Sequence, residues 1–527
     1  MSPTRREALA QLSALLAIPL VGWPRRADDP LAGTIAQFQA GRLHGDFSAV
    51  EATREALRRC RAWNGTLRAV DQLTDTALAE ARASDARAKR GALLGALDGV
   101  PLFAKSIYDM KGLPTTASSA EWARLFPLPA TRDALEVQRL RAAGAVLLGK
   151  TAADDFAYRG NGTSSLTGQV RNPHDPAGLR TPGGSSAGSA VVVACGMAFA
   201  ALGTDDGGSN RIPAQFTGVV GMKPSFGLVP RTGVIPTWPY LDTHGPLART
   251  VADAALMLDA IAGPDASDGI ADRTRYTRGA LGALRDDALQ GARLGLVEMH
   301  VPRTQMSAEC LAVFDRAIAD CTRAGAIVDT FATPVHRANV RDLFAADAIA
   351  HGRVAPNHNA PAPTANALLR YFRRHGADAE RKVHTGLAAF RAFYDVLPVG
   401  WEAMKALIAQ PYEADAASQS FARSRESVVA QLAAAFRAQQ LDAMVYPTMP
   451  FGAPAATDPW PDVRTALGYG NWLGLPEVSV PAGYGANGMP AGNLSFVGLP
   501  GSDARLLALA HAYEQHSHRF VAPPTPA

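Results

Sequence analysis

Between residues 34 and 90 the apolar positions return every three or four residues in three successive stretches, TIAQFQAGRL, AVEATREALRRCRAW and DTALAEARASDARAKR, with Gly and Asn between segments. That spacing predicts helices, so the chain opens on a helical segment. GVPLFAKSIYD then starts β-branched and apolar, EVQRLRAAG has helical spacing, and AVLLGK is a short apolar run. Such alternation predicts an α/β fold in which helices cover a mixed sheet. The run SAVVVACGMAFAALG is apolar on every face, and its 15 residues are too few for a comfortable membrane span. It reads as a buried core helix, with FAALGTD strand-like at its end. From about residue 265 to 442 the pattern is helix-rich but weak, and NHNAPAPTANA reads as a loop. The substrate-shaping part is expected there, at about 265–440. LDAMVYPTMP, PEVSVPAGY and GNLSFVGLP restore strand and turn signals before the helix DARLLALAHAYEQH. No internal repeat or linker divides the chain, which favours one large domain.

Composition changes this picture little. Hydrophobic residues make up 47% and charged residues 19% of the 527, as in soluble globular proteins. The net charge of +4, from 52 basic and 48 acidic residues, is too even to form a basic stripe, so no nucleic-acid partner is expected. Four cysteines, Cys60, Cys195, Cys310 and Cys321, show neither a CxxC pair nor metal-ligand spacing. Cys310 and Cys321 fall on one predicted helix, roughly 16 Å apart along its axis and beyond disulfide reach.

The N-terminus differs in character. Thr4, Arg5 and Arg6 precede an apolar run from Ala8 to Gly22, which reads as a twin-arginine export signal over residues 1–27, ahead of the domain at 28–527. The expected location is therefore periplasmic or exported, and otherwise cytoplasmic. Ala8 and Leu9 are not the bulky apolar pair such signals prefer, and no clear small-x-small cleavage site follows.

Candidate chemistry concentrates in GGSSAGSA (183–190), GTDDGGSNR (203–211) and the lone lysine of GVPLFAKSIYD. A flexible linker would not lead directly into a strongly apolar helix. A Gly-rich turn feeding a helix start instead presents backbone N–H groups to a developing negative charge. Gly207-Gly208-Ser209 follows a strand-like run, which puts the Ser209 hydroxyl on a tight turn where a nucleophile belongs.

The stretch RTPGGSSAGSAVVVACGMAFAALGTDDGGSNRIPAQFTGVVGMKPSFG resembles the amidase signature. The likeness extends to GVPLFAKSIYDMKGLPTTASS and AGAVLLGKTAADDFAYRGNG upstream and to DTHGPLARTVADAALML and GLPEVSVPAG downstream. It covers most of the chain and is weakest between about 265 and 440. The resemblance implies a single α/β domain, with a large mixed twisted sheet sandwiched between α-helices. It also implies an amide hydrolase that carries its lysine at Lys105, its cis-peptide serine at Ser185 and its nucleophile at Ser209. Homodimerisation is common among similar proteins; the sequence itself carries no sign of it.

Elementary chemistry agrees with those roles. A serine hydroxyl attacks only when a base takes its proton, and no histidine lies in these motifs. Lysine can serve only when neutral, and at a pKa near 10.4 about one in 2,500 is neutral at pH 7, a deficit of roughly 4.6 kcal/mol. The apolar approach VPLFA predicts that Lys105 is desolvated enough to overcome it. Its proton route runs from Ser209 through Ser185. The oxyanion is expected on the backbone N–H groups of Asp206, Gly207, Gly208 and Ser209. Ser186 reads either as part of the relay or as a helix cap. Asp206 stands where a threonine or apolar residue is common, and Asn210 where Ile or Val is frequent. A carboxylate aimed at the oxyanion would oppose catalysis, so Asp206 must point away, pair with a cation such as Arg211, or meet a polar substrate.

Three other readings compete. Gly184-Ser185-Ser186-Ala187-Gly188 satisfies G-x-S-x-G, which would make Ser186 the nucleophile of an esterase with a partner such as His511; the residues before it are turn-forming, not a strand. The same signature fits an amidotransferase-type amidase subunit that hands ammonia to a complex. A catalytically silent binding protein on this fold would not need all three relay residues. No cofactor and no metal are expected: HExxH and dinucleotide fingerprints are absent, and His511, His516 and His518 read as a solvated helix end. The expected partner is a small-molecule amide, with no stable membrane insertion.

Overall fold

A computed structural model describes residues 12–16, 29–268, 279–376, 378–393, 400–409 and 415–526. Its strands are β1 (Val70–Leu73), β2 (Pro101–Lys105), β3 (Val146–Thr151), β4 (Thr163–Ser164), β5 (Gly168–Gln169), β6 (Ala200–Thr204), β7 (Val220–Lys223), β8 (His244–Ala248), β9 (Arg293–Leu296), β10 (Ile327–Thr330), β11 (Ala443–Pro447), β12 (Glu477–Tyr484) and β13 (Pro490–Val497). Eleven of them form one mixed sheet in the order β1-β3-β2-β6-β8-β7-β12-β13-β11-β9-β10, while β4 and β5 pair separately. β2 runs parallel to both β3 and β6, and β9 runs parallel to β10 and β11. The centre is antiparallel from β6 through β8, β7, β12 and β13 to β11.

Helices lie against this sheet because their sequences bury one side. The helix Ala49–Leu67 starts at a Ser48–Glu51 capping box and buries Ala52, Ala56 and Cys60 at four-residue intervals, with Leu57 beside them. Strands β2, β6, β8 and β11 are buried at every position, as expected where both faces are covered, whereas the edge strand β10 is largely exposed. The α/β architecture read from the alternation of elements is therefore the one observed.

Four expectations need correcting. The run SAVVVACGMAFAALG is two elements: the helix Ala187–Ala194 stops at Cys195, Gly196 turns the chain at φ +63°, and β6 begins at Ala200. Composition alone hid the break, because both elements are buried and apolar. PAPTANA is not loop but the start of the helix Pro361–Arg373, where the fixed φ of proline suits the first turn. β9 and β10 lie inside the region read as helical; at four residues each they are too short to show a period. β1 was likewise hidden in the helical opening.

Cys310 and Cys321 share the helix Ala308–Arg323, and all four cysteines are free thiols. Most of the segment read as an export signal lies outside the described residues. Of its apolar run, residues 12–16 form a helical turn that buries Leu12 and Leu15. No helix among the described residues is long and apolar enough to cross a membrane.

Candidate active site

Because β2 and β6 are neighbours and parallel, their C-terminal ends open on the same edge of the sheet, the edge where α/β sheets place their sites. β2 ends on Lys105 and β6 ends on Thr204. The Lys105 Nζ is fully buried and lies 2.7 Å from Ser185 Oγ, 2.9 Å from Thr204 Oγ1 and 3.1 Å from Ser186 Oγ. Burial pushes this amine down from its ordinary 10.5 to about 8, against the pull of Asp206, Asp154, Asp205 and Asp242. At about 8, roughly one amine in ten is neutral at pH 7.

Ser185 follows a cis Gly184–Ser185 peptide bond, as the resemblance implied, and stands just before the helix Ala187–Ala194. The Ser186 side chain does not cap that helix. Its hydroxyl is bonded to Lys105, to the Thr204 carbonyl and to Asn210 Oδ1, and it accepts the Thr204 N–H. No strand leads into Ser186, so the hydrolase-elbow reading loses its structural context. Its suggested partner His511 is occupied with Asp286 at 3.0 Å. His511 is also buried, which corrects its reading as part of a solvated helix end.

Ser209 sits on the turn between β6 and the helix Arg211–Thr217, 8% exposed, and its carbonyl accepts the Ser186 N–H at 3.1 Å. That bond stitches the Ser209 turn to the Ser185–Ser186 segment. The Asp205 carboxylate holds the turn in shape: it accepts the N–H of Gly208 at 2.7 Å, that of Asn210 at 3.1 Å, and Arg211 Nε and Nη2 at 2.9 and 2.8 Å. Gly208 is thereby removed from the expected oxyanion donors. Among the described residues, the N–H groups of Asp206, Gly207 and Ser209 have no acceptor, and Gly207 is exposed beside open space. Gly208 has φ +123°, and a Cβ there would come within 2.5 Å of Leu467 and 2.8 Å of Ile212.

Arg211 does not pair with Asp206. Its partners are Asp205, Glu477 at 2.6 Å and Asn471 at 2.8 Å, all buried. Asn210 spans the site, tying Ser186 to the carbonyls of Met222 on β7 and Gly245 on β8. Asp154 is buried beside Lys105, and burial pushes its carboxyl up to about 7. Sequence reasoning missed Thr204, Asp154, Asp205 and Asp242. The doubled acid in GTDDGG was the one local signal, and it does not say which aspartate turns inward.

Residues 51–507 match the Amidase family. The chain belongs to it. The glutamyl-tRNA(Gln) amidotransferase A-subunit from Myxococcus xanthus (strain DK1622) is 34% identical over 92% of this chain and 98% of its own. Its counterpart from Anaeromyxobacter sp. (strain K) is 37% identical over 91% and 95%. Among solved structures, native peptide amidase from Stenotrophomonas maltophilia has a TM-score of 0.77 at 31% identity, covering 94% of this chain and 99% of that one. This amidase is thus an amide hydrolase by family and by fold.

The side chains recorded against the nucleophile's turn in this amidase come from outside the weakly patterned part. Ile212 and Leu467 flank Gly208, and Trp460 faces Gly160. A cavity of about 180 Å³ is lined by Arg231, Asp242, His244, Tyr371 and Arg374 among others, and by none of the relay residues. Its lining draws on residues 267–374 as well as on residues 231–244.

Proposed function

We propose that this amidase cleaves a carboxylic amide to acid and amine or ammonia through an acyl-enzyme on Ser209, with Ser185 and Lys105 as the proton relay. The observation that carries the reading is the fully buried Lys105 amine 2.7 Å from Ser185 Oγ. Ser209 Oγ attacks the carbonyl carbon while its proton moves to Ser185 Oγ and the Ser185 proton moves to Lys105 Nζ. The oxyanion is held by the N–H groups of Asp206, Gly207 and Ser209, each such donor contributing about 3 kcal/mol. Collapse expels the nitrogen, which takes the proton back along the same path. Water then enters, is deprotonated by the same relay, and releases the acid. The apolar neighbours Ile212 and Leu467 support an apolar acyl group beside Ser209.

The test is to label the protein with a fluorophosphonate and map the adduct, then to assay amides, anilides, esters and carbamates, peptide amides first because of the similarity to peptide amidase. An adduct on Ser186, or none, sinks the assignment. A second reading is an ammonia-donating component of a complex, favoured by the similarity to the amidotransferase A-subunit. It is distinguished by glutamine hydrolysis that rises when a co-purifying partner is present. The Arg5-Arg6 pair before an apolar run supports export, and fractionating the host cell tests it.

A further inference from the structure

A second cavity, of about 290 Å³, lies between the segment that follows β2 and two helices of the weakly patterned region, Pro361–Arg373 and Ala379–Phe393. None of its lining residues belongs to the relay or to the nucleophile's turn. Its size is at the lower end for small-molecule sites and suits one or two rings. Part of the lining is aromatic. Trp122 and Phe372 stack with ring centroids 5.6 Å apart, and Phe126 lies 4.7 Å from Trp122 and 5.0 Å from Phe372. The Trp122 indole N–H donates to the Thr115 carbonyl at 2.8 Å, which fixes that ring. Pro127, Leu128 and Pro129 continue the apolar surface to the rim, where Leu128 is 81% exposed.

The polar part of the lining is basic. Arg381, Lys382 and His375 contribute to it, and no carboxyl group does. Arg381 is paired with Asp378 at 2.9 Å. Lys382 has no carboxyl partner among the described residues, and its Nζ donates to the His375 carbonyl at 3.1 Å. His375 is oriented from behind, its Nε2 2.8 Å from Asp109 Oδ2, while Thr115 Oγ1 and Tyr371 Oη donate to Asp109 Oδ1 at 2.8 and 2.9 Å. Lys150 Nζ adds a bond to Thr115 Oγ1 at 3.1 Å, so the buried Asp109 carboxyl is satisfied within the protein. The His375 Nδ1 has no partner among the described residues. An aromatic surface beside an unpaired ammonium, with no acid in the lining, is complementary to a flat apolar molecule that carries a negative charge. An uncharged ring would leave the Lys382 ammonium without an anion, and a small anion without a ring would leave the aromatic wall in water.

We propose that this cavity is a second binding site, separate from the catalytic one, and that its ligand is an aromatic carboxylate of one or two rings. The ring lies against Trp122, Phe126 and Phe372, and the carboxylate accepts from Lys382 Nζ. The test titrates indole-3-acetate and its uncharged counterpart indole-3-ethanol into the full chain by calorimetry, after treatment with a fluorophosphonate so that acid lodging at the catalytic serine is not counted. One equivalent of indole-3-acetate is expected to bind, at least about tenfold more tightly than the alcohol. Lys382→Glu is expected to weaken the acid at least about tenfold while changing the alcohol less than about threefold. Leu128→Glu alters a side chain that is 81% exposed, so the fold is kept, and the added charge at the rim is expected to weaken the acid but not the alcohol. Phe126→Ala removes part of the aromatic wall and is expected to weaken both probes about tenfold. No binding to the wild type, binding abolished by the fluorophosphonate, or an unchanged affinity for the acid in Lys382→Glu each overturns the proposal. So does an alcohol that binds as tightly as the acid, which would make the cavity a purely apolar one. Failure of the Ser209 assignment would look different, since it would appear in the adduct map and leave the variants' effects on these titrations unchanged.

Discussion

Replacing Lys105 with arginine preserves a long cationic side chain at the end of β2 while removing any usable base, so it separates proton transfer from simple charge. In the wild type, burial lowers the amine to about 8, and roughly one molecule in ten at pH 7 carries the neutral form. A guanidinium with pKa above about 12 is neutral in no more than about one molecule in 10⁵, so the base-competent fraction falls about 10⁴-fold. General-base contributions run to about 10²–10⁴, and Lys105→Arg is therefore expected to lower kcat/KM by about 10³ or more. The three hydroxyls that meet Nζ, of Ser185, Ser186 and Thr204, can all accept from a guanidinium, so the fold should survive. The assay is hydrolysis of whichever amide the panel identifies, with fluorophosphonate labelling as a second readout, from pH 6 to 9. Because the native amine titrates below its ordinary value, the wild-type rate should rise about tenfold per unit in the acid range and level near pH 8 or below. A Lys105→Arg enzyme retaining more than about a tenth of the activity, or a wild-type rate that is flat from pH 6 to 9, would refute a neutral lysine as the base.

Ser186→Ala should keep the fluorophosphonate adduct on Ser209 while slowing labelling about tenfold, since Lys105 and Asn210 each lose one hydrogen bond; mass mapping checks the first part and the rate the second. Gly203→Ala drives a Cβ into Asn210 Oδ1 and to 2.7 Å from Ser186 Oγ, so the folded protein should label at least about a hundredfold more slowly, as read beside its circular dichroism. Arg211→Met strands Asp205 and Glu477, and urea denaturation should show a loss of about 3–5 kcal/mol. The Arg211 pairing depresses the Asp205 carboxyl below its ordinary 3.8, overcoming burial. Asp205 therefore contributes stability that is full above the ordinary carboxylate range and is lost only as pH falls through the depressed value, and the destabilisation by Arg211→Met should be measurable at pH 7 and shrink in strong acid.

The glycine and serine punctuation was legible because it is local: GGSSAG and DDGGSN each carry their turn chemistry within a few residues, and the apolar approach to Lys105 forms a strand buried at every position. What was not legible depends on which chain segments meet. Ser185 is 80 residues beyond Lys105 along the chain, and Glu477 is 266 residues from its partner Arg211. Hydrophobic period cannot report such pairings, just as it could not separate the helix Ala187–Ala194 from β6 when both are apolar throughout. Nearness in sequence suggests Arg211 as a partner for Asp206. The pairing fails because the side chain of Asp205, not that of Asp206, turns toward the start of the helix Arg211–Thr217, where it also meets the N–H groups of Gly208 and Asn210.

That choice between two adjacent aspartates organises the site. One acid at the turn is charged, because six N–H groups from Gly208, Asn210, Arg211 and Asn471 converge on it. It fixes the backbone of the nucleophile's turn and uses up the Gly208 N–H in doing so, which leaves Asp206, Gly207 and Ser209 as the free donors. The neighbouring acid has no donor at all among the described residues, and its side chain faces the lysine. If both were anions, Lys105 would be held as an ammonium and could not take a proton from Ser185; if both were neutral, Arg211 would lose its nearest counter-charge and the turn its brace. The surroundings treat the two acids differently: Arg211 pairs with Asp205, whereas Asp206 is buried with no donor among the described residues and burial pushes its carboxyl well above the usual carboxylate range.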